Sequence, residues 1–381
     1  MTRRRTAAPA AGPGARPRRR LPPGPLWLVA ALVAAAVLLW LPAPAPPGPP
    51  GPLTLADAWP GVSPGALPAS VPDGPAYHPV YLLDPRTSVG TAPSPDGARL
   101  RLLLRTADAT PRQLRSLPLD RDPQFGGVTA QGDDLVWAES QTAGAGEATT
   151  SIWSLRWREP GAVPRRLVAD AGQVAFFNSE YDLQVAQGRV HWVAVAPVQE
   201  SVTELRSVAL GGGAVAVRAE PGAWARAAWP WLVSAVTEVT GEVQLWDPVA
   251  RKRRAVPASA DDLVTCGAAW CRVQVVGGDG PSGLDLMRPD GTQRRRIAGV
   301  AETAALVDVA VLDRFEPLVR DGAGGDPTSS QDLLLYDAQR DRAVHLAAGV
   351  GTVASRAGYL WWSTGGPDDI RWHVLDLRAL T

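Results

Sequence analysis

Beyond about residue 76, apolar and polar side chains trade places at every second position in short runs. Residues 99–105 read RLRLLLR, 133–140 read DDLVWAES, 188–198 read GRVHWVAVAPV, 241–249 read GEVQLWDPV and 359–364 read YLWWST. A period of two puts successive side chains on opposite faces of a strand. Gly, Pro, Asp and Asn separate the runs, as expected of turns. No segment sustains the 3.6-residue period of a long amphipathic helix, so the pattern predicts an all-β body.

The runs recur as a unit: an apolar strand, a turn, a strand ending in a polar turn, then a basic-apolar strand. It appears at residues 151–168, 242–256, 284–297, 333–346 and, shortened, 371–380. Four strands in about 40–50 residues is the size of one β-propeller blade. Residues 77–381 divide into seven blades of ~44 residues or six of ~51, and seven fits the usual length better. A strand near residues 77–83 is expected to complete the last blade and remove the open sheet edge. A pair of stacked sheets is the competing architecture.

Residues 94–104 (SPDGARLRLLL) resemble the signature of TolB-type and related WD40-like propeller repeats, and residues 286–297 (LMRPDGTQRRRI) resemble the adjoining part. Asp96-Gly97 and Asp290-Gly291 supply tight turns in which glycine tolerates positive φ. The resemblance implies a propeller that binds a protein or ligand, with no fixed active site. One Lys among 37 Arg, with abundant Ala, Gly and Pro, suggests a GC-rich, Gram-positive-like bacterial source.

The N-terminal part follows other rules. Residues 1–20 hold seven Arg and no acid, residues 21–41 are uncharged, and 26–41 form an apolar core without Gly or Pro. Sixteen residues span about 24 Å, the short end of what a bilayer asks. Arginines ahead of this segment predict a cytoplasmic stub (1–20), a transmembrane signal anchor (21–41) and an extracellular body on the cell membrane. Cleavage as a secretory signal is the alternative; Ala43-Pro44-Ala45 imitates a cleavage site, but Pro46 follows it. Residues 42–76 are rich in Pro and Gly and read as an extended linker. Within them, residues 61–65 match G-x-S-x-G, but Pro64 lacks the N–H that an oxyanion hole needs.

Charge narrows the partners. Lys+Arg and Asp+Glu both count 38, yet beyond residue 50 the balance is near −7, which argues against nucleic acid. The expected partners are the membrane and an envelope protein or glycan.

Candidate chemistry is sparse. Cys266 and Cys271 flank a four-residue loop and are expected to form a local disulfide. His78, His191, His345 and His373 form no metal motif, and the acidic stretch 321–332 matches no calcium loop. No catalytic, cofactor-binding or metal residue is assigned, and no cofactor. Most of the 15 Trp are expected between blades; Trp361 and Trp362, adjacent on a strand and pointing to opposite faces, are the candidate binding surface. The function expected from these features is a non-catalytic binding or scaffold module. The alternative is a propeller enzyme, a glycan hydrolase or lyase, with carboxylates from several blades meeting in the central channel. A sensor would need a partner to carry its signal, because about twenty residues make no output domain.

Overall fold

The SPDG motif builds the turn its residues require. Thr87–Pro93 passes into Arg99–Thr106 through residues 94–98. Gly97 N–H donates to the Ser94 carbonyl at 2.8 Å, Asp96 accepts from Ala98 N–H at 3.1 Å, and Ser94 Oγ accepts from Arg99 N–H at 3.0 Å. Gly97 sits at φ 68°, which a side chain would strain. Asp290-Gly291 does the same between Gly280–Met287 and Arg295–Ala298, with Gly291 at φ 82°.

This computed structural model describes residues 53–381 apart from 107–109, 143–147, 198, 236–241, 261, 279, 322–330 and 367. The basic stub, the apolar segment 21–41, the first part of the proline-rich stretch and most of the acidic stretch 321–332 lie outside the described residues. Among the described residues, no helix is long and apolar enough to cross a membrane.

Strand follows strand in antiparallel sheets. The first holds His78–Asp84, Thr87–Pro93, Arg99–Thr106 and Arg112–Pro118, in chain order. The second runs from Gln124–Gln131 to Arg165–Val168. In the third, Gln173–Val174 and Gln184–Ala186 share one partner, Arg189–Ala196, and two further strands follow. The fourth begins with Trp224–Arg226 and the fifth with Asp262–Cys266. A seven-stranded sheet takes up the rest. Its strand Arg342–Arg356 pairs with Gln331–Asp337 through its first half and with Tyr359–Thr364 through its second.

First strands meet first strands. His78–Asp84 touches Gln124–Gln131, which touches Gln184–Ala186, and Arg342–Arg356 returns to His78–Asp84. Sheets whose leading strands meet in this way stand radially about a common axis. Between them lie separate cores: Trp137 packs with Val89, Leu102 and Leu135, and Trp192 with Val136, Ile152 and Val208.

The chain closes elsewhere than residues 77–83. Gly65–Leu67 pairs antiparallel with Arg371–Asp376, Leu67 opposite Trp372, while His78–Asp84 opens the first sheet instead. Residues 53–76 thus include structure where linker is expected. Thr54 caps a single turn, Leu55–Ala58, in a capping box with Asp57. Leu55, Ala58 and Trp59 bury against Phe315, Leu335 and Trp362. The prolines alternate here with large apolar anchors, and these find a core. Residues 61–65 lead into the closing strand, with no helix behind Ser63.

Candidate functional site

Between Gln173–Val174 and Gln184–Ala186 the chain leaves the third sheet and makes a tight loop. Asp182 ties it: its carboxylate accepts from Phe177 N–H at 2.9 Å and Ser179 N–H at 3.0 Å. Asn178 takes a positive φ of 60°, and Ser179 Oγ accepts from Tyr181 N–H at 3.0 Å. Burial lifts the Asp182 carboxyl to about 6 even against these two bonds.

The loop reaches other sheets. Ser179 Oγ donates to Asp308 Oδ1, and Glu180 N–H donates to Asp308 Oδ2 at 2.8 Å. Asp308 lies between Glu302–Ala304 and Phe315–Asp321, so the contact joins the third sheet to the seven-stranded one. Arg356, ending the long strand, donates to the Asn178 carbonyl and to Asn178 Oδ1, both at 2.9 Å, and stands 3.9 Å from Asp308 Oδ2. Ala357 N–H donates to Glu180 Oε2 at 3.0 Å. Three segments, 48 to 178 residues apart in sequence, meet at one point.

The turn carrying Asp308 is held from behind. Arg272 donates to the Val307 carbonyl at 3.1 Å and to Glu316 at 2.6 Å, and Glu316 accepts from Ala310 N–H at 2.7 Å. A buried, fully bonded ion pair of this kind fixes geometry more than it adds stability.

Burial acts on two of these groups in the same direction. Burial raises the Glu180 carboxyl, and the Asp308 charge adds to the rise against the bond from Tyr181. Burial, then Glu180, raises the Tyr181 phenol as well. Both groups keep their protons to higher pH than in water. Asp308 accepts one bond on each oxygen; a carboxylate has about four lone-pair sites, so two stay open.

Beside them is a cavity of about 290 Å³, lined among others by Phe177, Ser179, Tyr181, Thr265, Val307 and Asp308. That volume is near the lower end for small-molecule sites, about 300–1,000 Å³. Four sheets contribute to its wall.

No family model matches the chain, and no curated protein matches it. Solved structures do. The β-propeller domain of the Trilobed protease from Pyrococcus furiosus aligns at 9% identity and TM-score 0.45, over 67% of this chain and 83% of that one. An oligogalacturonate lyase in complex with manganese aligns at 12% and 0.47, over 78% and 83%. A puromycin-hydrolyzing peptidase from Mycobacterium tuberculosis aligns at 14% and 0.45, over 87% of this chain but 54% of its own. These are β-propeller structures, and the successive four-stranded sheets of this chain, with leading strands in contact, are consistent with that arrangement.

The propeller corrects two expectations. The solved structures it resembles are chiefly enzymes, peptidases and a lyase, which runs against the expectation of a non-catalytic binding module; at 8–14% identity the likeness is one of fold and assigns no activity. Trp361 and Trp362 also form no binding surface: each is 1% exposed. They do point to opposite faces, but a blade has a neighbour on each side. Trp361 packs with Leu67, Leu82 and Trp372, and Trp362 with Trp59, Phe315 and Leu360.

The other residues singled out in the sequence fall as follows. Cys266 and Cys271 are direct partners across a hairpin, with sulfurs 2.02 Å apart, and Cys266 borders the cavity beside Asp308. The four His are scattered: His78 meets Trp372, His191 meets Trp229, His345 stands 3.9 Å from Asp332, and His373 bonds Thr364. Among the described residues, no group of three His, Cys, Asp or Glu is placed to hold a metal ion. Asp308, Glu180, Tyr181 and Arg356 escaped sequence reading. For Glu180 and Tyr181 the signal was the polar string NSEYD at 178–182, interrupting an otherwise alternating blade; Asp308 and Arg356 had none.

Proposed function

We propose that this chain is a propeller enzyme performing acid–base chemistry on a glycan in its axial cavity, by hydrolysis or elimination. Asp308 is the base, its carboxylate oriented by Ser179 and Glu180. Tyr181, backed by Glu180, supplies the proton, and Arg356 holds the loop and offsets the negative charge. The observation that carries this reading is the bridge from Ser179 and Glu180 to Asp308 beside a cavity. A buried phenol that keeps its proton, beside a carboxylate with room to accept one, is a pair suited to acid and base roles. Phe177, exposed on the same cavity, offers a ring face to a sugar.

The ring has seven blades in this proposal: five from the first five sheets and two from the seven-stranded sheet, which share the strand Arg342–Arg356. The expected location is outside the cytoplasm, on an N-terminal membrane anchor, facing envelope glycans. Segregated charge in the sequence supports that placement, and so does the paired cysteine hairpin. The SPDG turn supports kinship with TolB-type repeats.

Product analysis tests the reaction. The purified protein is incubated with an oligosaccharide panel in ¹⁸O-labelled water. Labelled reducing ends indicate hydrolysis and unlabelled unsaturated ends indicate elimination. Intact panels throughout would overturn the proposal.

A further inference from the structure

A second cavity, of about 210 Å³, opens between the third and fourth sheets and is bordered by His191, Arg206, Arg218, Arg226 and Trp229. Arg226 is its unusual member. It is only 8% exposed, and among the described residues its guanidinium bonds one group: Nε and Nη2 donate to Gln184 Oε1 at 3.1 and 2.8 Å. Gln184 donates its own amide to the Ala227 carbonyl at 2.7 Å, which fixes the oxygen toward Arg226. Other buried arginines are paired, Arg272 with Glu316 at 2.6 Å and Arg314 with Asp337 at 2.7 Å. Among the described residues, no carboxylate pairs with Arg226, and burial alone, with no acid opposing it, depresses its pKa to about 10. The group is a cation at neutral pH, and a buried charge without a counter-charge costs several kcal/mol.

The rest of the cavity leaves this charge without compensation. The Arg226 guanidinium carbon lies 5.4 Å from the Trp229 ring centre, and the His191 ring is tilted against Trp229 at 4.3 Å. His191 Nε2 donates to the Ala186 carbonyl at 3.2 Å; burial and then Arg226 hold this ring's pKa near 4, so it is neutral. Arg206 and Arg218 are engaged with Glu204 and Glu220, which leaves Arg226 as the uncompensated charge.

We infer that this cavity binds the oxyanion of a small ligand, a carboxylate or a phosphoryl group, through Arg226, with the ligand's apolar part against Trp229. A guanidinium fork suits either anion, and Nη1 has no protein partner among the described residues. Arg226 also borders the larger cavity beside Asp308, but anion binding by Arg226 stands whether or not the Asp308 constellation is catalytic.

Calorimetry on the full chain in detergent, at pH 7 and constant ionic strength, tests it with benzoate and inorganic phosphate as probes. The wild type binds at least one of them with a Kd of about 1 mM or tighter, and the probe that binds identifies the group. Arg226→Met weakens that binding by about tenfold or more, while its unliganded Tm holds or rises because a lone buried charge is gone. Arg226→Lys keeps a positive charge but loses the fork, and weakens it severalfold. Failure of both probes to saturate the wild type below about 10 mM would overturn the site. So would wild-type affinity in Arg226→Met or, should that variant not fold, in Arg226→Lys.

Discussion

The indole N–H of Trp372 donates to the backbone carbonyl of Tyr77 at 3.0 Å, across 295 residues of chain. The bond ties the last strand to the entrance of the first sheet, beside the pairing of Gly65–Leu67 with Arg371–Asp376. Ring closure therefore rests on one short strand, one buried indole and the core they share with Leu67 and Val374.

Trp372→Phe keeps most of the packing and leaves the Tyr77 carbonyl unbonded, so it should lower unfolding free energy by about 1–3 kcal/mol. Leu67→Asp puts an unpaired carboxylate into the same core and should do more, exposing a free sheet edge. Urea titration checks the first, and light scattering during unfolding checks the second.

Gly90 is the least replaceable glycine. A Cβ there would lie 2.5 Å from the His78 carbonyl oxygen and 2.4 Å from the Tyr77 ring. Tyr77 is fully buried with its hydroxyl on Ser88 at 2.9 Å, so neither neighbour can yield without moving a strand. Gly90→Ala should lose about 3 kcal/mol or more, read as a lowered urea midpoint.

Asp182 should make stability fall as pH rises. Its folded pKa of about 6 exceeds the usual 3.8, so the native state binds the extra proton between those values and loses that advantage above 6. Asp182→Asn cannot ionise and escapes the loss. Measured against the wild type, its unfolding free energy should improve by up to about 3 kcal/mol from pH 4 to pH 7. A pH-independent difference would place the carboxyl in a more polar setting than the loop provides.

The cysteine pair closes a loop too short to constrain the unfolded chain much, so Cys266→Ser with Cys271→Ser should lower stability by only about 2 kcal/mol. In protein isolated without reductant, iodoacetamide should label neither sulfur. Ready labelling of both would show a reduced hairpin.

The strands were legible because alternation and turn chemistry are local. SPDG forms its turn from residues 94–99 alone, and Cys266 faces Cys271 because four residues separate them. Closure was misplaced by a dozen residues because proline density in 42–76 hid Leu55, Trp59 and Leu67, whose partners lie near residues 315–375. Trp361 and Trp362 showed which way they point but not that each face of a blade is covered. Asp308 was illegible: nothing in its neighbourhood distinguishes it from a solvated turn, and its meaning comes from Ser179, Glu180 and Arg356, 48 to 129 positions away.

The decisive measurement is kcat/KM for the wild type and Asp308→Asn on whichever panel oligosaccharide is turned over, with circular dichroism confirming that the variant is folded. Loss of the base should reduce kcat/KM by about 10²–10⁴-fold. A folded variant within about threefold of wild type would contradict the axial site.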